Sequence, residues 1–172
     1  NHSENVKKKY DLQENSPHLL LLTLPDNSTW LDDENFSSLN RLTKALNDLP
    51  DVDKILGLAN VETALIDEDS FFVGRLKDLF QSETKSREWV TQHPLLSPRL
   101  ISKDGRSTVF VVNPVEMGVE KHLQLMERLK TFSSVYVPQA NAKVGGPAAI
   151  RTQVTSILSK EIMVFVSLSL LG

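Results

Sequence analysis

"HLLLLTLP", residues 18–25, is a continuous apolar run closed by Pro25. Its length suits a strand buried on both faces better than a helix. One other stretch matches it, "TVFVVNPV" at residues 108–115. Two such runs 90 residues apart predict two central strands of one sheet, and the segments between and after them decide its topology. After the first run, "DNSTWLDDENF" is rich in turn and cap residues. Phe36, Leu39, Leu42, Leu46 and Leu49 then recur at three- and four-residue spacing, one apolar helix stripe. Asp32, Asp33 and Glu34 lie where a helix's amino end favours negative charge, and Pro50 stops the helix. "DVDKILGLANVETAL", from residue 51, reads as a second strand, more polar and so nearer an edge.

Residues 62–107 read as an insertion. "FFVGRLKDLFQ" and "KSREWVTQHPLL" each predict a short helix, with Pro94 and Pro98 breaking the chain after them. Lys103-Asp104-Gly105-Arg106 is a turn by composition, with "RLIS" and "TVFVVNPV" as the arms of a hairpin around it. Val119, Leu123, Met126 and Leu129 mark a second amphipathic helix, to about Phe132. "SSVYVPQANAKVGG" predicts a last, weaker strand, and Gly145-Gly146-Pro147 a turn with proline at a helix's first position. The fold class expected is α+β: a ferredoxin-like βαββαβ (split βαβ) with a helical insertion between strands 2 and 3, then a terminal helix. In that arrangement the first and third strands are central, and here these are the two continuously apolar ones. The expected organisation is a flexible leader over 1–16, the domain over 17–160 with its insertion at about 62–107, and a different kind of segment from 161 to 172.

Composition narrows the function classes. Of 172 residues, 40% are apolar and 24% charged, which is globular, and the net charge of −3 leaves no electrostatic footprint for nucleic acid. With no cysteine, thiolate catalysis, zinc-thiolate sites and disulfide frameworks are excluded. The histidines at 2, 18, 93 and 122 have no metal-ligand spacing, and His122 reads as a partly exposed helix residue. Asp67-Glu68-Asp69 resembles the start of a calcium loop but has Phe72 where the sharp turn needs glycine, so it reads as an acidic turn. Asn27-Ser28-Thr29 and Asn35-Phe36-Ser37 match the glycosylation sequon, a frequent chance match. Gly145-Gly146 at a helix start lacks the lysine that would support a phosphate cradle. No nucleophile with a base and no acid pair stands out, so the expectation is a chain that is not an enzyme and needs no metal or cofactor.

The carboxyl end is different. From Pro147 to Ser159 the pattern is amphipathic, and Ile162 to Leu171 is then apolar on every side, directly after Lys160-Glu161. Ten residues do not span a bilayer, which takes about 20. A helix amphipathic at first and greasy beyond is nevertheless what entering lipid requires, so 161–172 reads as the start of a truncated transmembrane helix. A buried core helix is the alternative.

Three stretches, in order, carry a family resemblance: "LPDVDKILGLANVETALI", "HPLLSPRLISKDGRSTVFVVNP" and "VGGPAAIRTQVTSILSKEIMVFVSLSLLG". From about His18 to Gly172 the chain resembles the extracytoplasmic (periplasmic, porter-type) loop domain of resistance–nodulation–division (RND) superfamily exporters, especially MMPL-like predicted exporters. The second stretch, with its Asp-Gly turn before an apolar strand, is the most telling, and the third looks like the family's approach to its second membrane helix. The spacer between "ETALI" and "HPLL" is not distinctive, and this chain carries no full-length membrane helix.

The resemblance implies a ferredoxin-like porter domain outside the inner membrane. It would bind or gate hydrophobic, lipid-like cargo together with the rest of its own transporter, including a second extracytoplasmic loop domain. Proton flow would power transport through carboxylates in membrane helices that lie outside this chain. The membrane at the carboxyl end is the other expected partner, and the apolar end also allows a homo-oligomer. For cargo or partner contact, Phe71, Phe72, Phe80 and Trp89 in the insertion are the candidates, because loops on a rigid sheet often carry function; covering one face of the sheet is their alternative role. Two rival expectations remain: a ferredoxin-like ligand-binding or regulatory module, and a non-transporting envelope assembly protein.

Overall fold

The computed structural model describes residues 16–67, 70–78, 88–94 and 96–171. The chain runs β1 (His18–Thr23), α1 (Asp33–Asn47), β2 (Val52–Leu56), β3 (Glu62–Asp67), β4 (Ser70–Arg75), α2 (Glu88–Gln92), β5 (Ser107–Pro114), α3 (Val119–Tyr136), β6 (Asn141–Gly145) and α4 (Pro147–Leu171). Four strands form an antiparallel sheet in the order β2-β5-β1-β6, and β3 and β4 form a separate two-stranded sheet. The protein is therefore mixed α+β. The two apolar runs are the central strands, paired from His18↔Val112 to Thr23↔Ser107.

The expectation that both central strands are buried on both faces needs correcting. Burial alternates: His18, Leu20 and Leu22 on β1 and Thr108, Phe110 and Val112 on β5 are fully buried, whereas Leu19, Val109 and Val111 are only half-covered and Leu21 is exposed. The covered face carries the core, into which α1 sends Phe36, Leu39, Leu42 and Leu46 from one stripe. Each such side chain contributes about 1.5–3 kcal/mol relative to remaining in water. On α3 the inward set is His122, Leu125, Met126, Leu129 and Ser133, so the predicted stripe beginning at Val119 is rotated and Val119 itself is exposed.

The predicted second strand is two strands. β2 ends at Leu56, and Asn60 fixes the turn that follows: its amide accepts from the Gly57 N–H at 2.8 Å and donates to the Ile55 carbonyl at 2.9 Å. Gly57 passes so close to the Phe110 ring that a Cβ would collide with it, so the chain turns where glycine permits. The insertion is correspondingly not simply helical. "SFFVGR" forms β4, in register with β3 from Glu62↔Arg75 to Asp67↔Ser70. Adjacent phenylalanines with a valine fit a pleated ribbon better than a helix, and the partner strand supplies the ladder. Only "EWVTQ" (α2) and the helical residues 76–78 follow the helical expectation among the described residues.

The hairpin expected around the Asp-Gly turn is reduced to one bridge, Ile101↔Thr108, beyond the turn itself. Gly105 has φ 71°, and its carbonyl accepts from the Trp30 N–H at 2.9 Å, tying this turn to the loop after β1. "SSVY" belongs to α3 rather than to the last strand. The Ser133 and Ser134 hydroxyls bond back to the Leu129 and Lys130 carbonyls at 2.7 and 3.0 Å, which keeps them compatible with helix until Pro138. The turn before α4 is confined to Gly146, at φ 92°, since Gly145 ends β6 and Pro147 opens the helix as expected.

α4 runs 25 residues and packs its first turns, through Ala148, Ala149 and Thr152, against the domain. Ile150, Val154, Ile157, Leu158, Ile162 and Met163 are between 50% and 68% exposed. Among the described residues no helix is long and apolar enough to cross a membrane. The predicted leader lies outside the described residues except for Ser16.

Candidate functional site

Between the carboxyl-terminal half of α1 and the edge strand β2, walled by the ends of β3 and β4, lies an open groove of about 750 Å³. Each wall follows from local sequence. α1 turns its buried stripe to the sheet, which leaves Asn40, Lys44 and Asn47 facing outward along the groove. On β2 the register shifts between Val52 and Lys54, after which Lys54 lies outward and Ile55 is buried. The Asn60-held turn brings β3 beside β2, placing Glu62 and its register partner Arg75 at the far wall, with Lys77 just beyond. Lys44, Lys54, Arg75 and Lys77 form no ion pair among the described residues. The groove is thus lined by cations and amides, with Asp48 and Glu62 as its carboxylates.

At the start of β1, a second polar cluster is closed. His18 Nε2 and His122 Nδ1 lie 2.9 Å apart, joining β1 to α3, and the residues are 0% and 5% exposed. His122 is therefore not the partly exposed histidine expected from its helix position. Burial, reinforced by the positive His122 and Arg151, holds the His18 imidazole at about 4. Burial and Arg151 also lower His122, against a hydrogen bond to the Met117 backbone that raises it. His18 Nδ1 has no hydrogen-bond partner among the described residues. The hydrogen bond between these two buried rings links β1 to α3.

Of the four aromatic candidates, three lie in described elements. Phe71 and Phe72 sit in β4, opposite Ile66 and Leu65. Trp89, on α2, is half-buried against the core, with the His93 ring 5.2 Å away, edge-on. Phe80 lies outside the described residues. Trp89 does not line the groove. Among the described residues no three His, Asp or Glu side chains are grouped to hold a metal ion. To a ligand the groove offers positive charge and hydrogen-bond donors. Sequence reasoning missed it because its residues come from four separate stretches, none of which carries a motif.

The sequence matches no protein-family model and no curated protein.

Proposed function

We propose that this chain is the extracytoplasmic, porter-type domain of an RND-superfamily, MMPL-like exporter, working at the inner membrane on its periplasmic side. In this role it binds or gates lipid-like cargo and performs no chemistry of its own. The observation that carries the proposal is α4. Beyond its docked first turns, the helix offers apolar side chains from Ile150 to Met163 that the domain leaves uncovered. A helix anchored by one end, with an uncovered apolar stripe on the part beyond, suits a hydrophobic surrounding, of which a membrane is the one the resemblance implies. The sheet order β2-β5-β1-β6, with α1 and α3 as crossovers, supports a ferredoxin-like split βαβ for the domain, with β3, β4 and α2 as its insertion.

Vesicle flotation tests the membrane role. The chain is expected to float with neutral phosphatidylcholine vesicles, and Ile157→Asp with Ile162→Asp to leave it in the soluble fraction. A chain that stays soluble in both forms overturns the proposal. For cargo contact, Phe71→Asp in the intact exporter is expected to abolish export of amphiphile while the protein still reaches the membrane. Unchanged export removes β4 from the path. A second reading, a ferredoxin-like ligand-binding module, is favoured by the groove at the β2 edge. It predicts binding of a small molecule with no vesicle association at all.

A further inference from the structure

The groove beside β2 makes a statement about ligand chemistry that does not depend on α4 or the membrane. Four cationic side chains from three separate parts of the fold converge on one open volume of about 750 Å³. None is neutralised by an ion pair among the described residues. Lys44 has a local task, since it lies in the last turn of α1 and offsets the negative end of that helix. Lys54, Arg75 and Lys77 have no such task. Arg75 faces Glu62 across the β3–β4 ladder, yet the two do not close into an ion pair. Holding like charges around a shared cavity is unfavourable, and a bound anion relieves it. Asn40 and Asn47 add amide donors on the α1 side.

We propose that this groove is a binding site for a phosphoryl group carried on a polar organic body. The cations and amides supply charge-assisted hydrogen bonds to the phosphoryl oxygens, with Arg75 able to engage two at once. The volume exceeds what a bare phosphate fills and matches small-molecule pockets. Asp48 and Glu62, on the same lining, repel a uniformly anionic ligand but accept hydrogen bonds from hydroxyls, so the body that fits is a polyol or sugar. Such a phosphate reaches the groove either as a free metabolite or as the headgroup of an anionic lipid.

The experiment titrates the full chain with glucose 6-phosphate, with glucose as the uncharged control, and separately with phosphatidylglycerol against phosphatidylcholine vesicles. Glucose 6-phosphate is expected to bind saturably and glucose not to bind. Lys54→Glu with Lys77→Glu should weaken the phosphate about tenfold or more, the scale of losing charged hydrogen bonds. Rising salt should weaken it too, because the groove is open to solvent. A preference for phosphatidylglycerol vesicles that disappears in the double variant, without glucose 6-phosphate binding, assigns the site to a lipid headgroup. Lys54→Gln with Lys77→Gln repeats the test with charge removed but not reversed, should the glutamates disturb folding by circular dichroism. If neither probe binds saturably, or binding ignores both double variants, the site does not exist.

Discussion

At the level of single residues, the His18–His122 contact sets how stability responds to acid. An unfolded histidine titrates near 6.5, while folded His18 is held at about 4 by burial first and by the positive His122 and Arg151 after it. The unfolded chain therefore binds more protons than the folded one between these values. Stability is fully present above about pH 6.5 and is lost as pH falls towards 4. A shift of this size corresponds to about 3 kcal/mol from His18, with His122 acting in the same direction. Urea unfolding at pH 7, 5.5 and 4.5 checks this. The wild type should lose stability across the series, and His18→Leu should flatten the loss. An equal slope in the variant means other groups carry the acid response. Nothing near either histidine announces this pair, because the partners are 104 residues apart and meet only once β1 and α3 are assembled.

At the level of elements, α1 and α4 are both helices with apolar stripes, but their stripes have different fates. Leu39 is fully buried under the sheet, and Leu39→Ala should cost about 2–5 kcal/mol in chemical denaturation. Ile157 is 56% exposed, and Ile157→Ala should change stability by no more than about 0.5 kcal/mol. A large loss at Ile157 would mean that the domain itself covers the stripe. α1 was legible because Phe36, Leu39, Leu42 and Leu46 repeat at helical spacing between an acidic start and Pro50. β4 was not, because "FFVGRL" is short enough to satisfy either period. What decides in favour of strand is the ladder to β3, a tertiary fact. The β2–β3 break was likewise hidden, since Gly57 and Asn60 look ordinary until the Phe110 ring and the Ile55 carbonyl are placed beside them.

For the whole molecule, the question is whether the insertion is a separate body or part of one cooperative unit. Its residues answer in physical terms: Leu76, Val90, Leu96, Leu100 and Ile101 are buried in the same cluster as Leu20, Leu39 and Phe110. The Thr108 hydroxyl on β5 donates to the Leu100 carbonyl at 2.8 Å, and the Val109 N–H donates to the same oxygen at 3.1 Å. With core and these hydrogen bonds shared, neither part can lose its packing without exposing the other's apolar surface, so they should unfold together. The two tryptophans give each part its own reporter. Trp30 is fully buried in the loop after β1, and Trp89 lies half-buried on α2. In Trp89→Phe the fluorescence reports the sheet side, and in Trp30→Phe the insertion. After correction for each substitution's own effect, measured by far-ultraviolet circular dichroism on the same variant, the fluorescence and circular dichroism midpoints should coincide in both. If Trp89 reports an earlier transition than the backbone signal in Trp30→Phe, the insertion opens independently. The groove wall formed by Arg75 and Lys77 would then loosen before the sheet does.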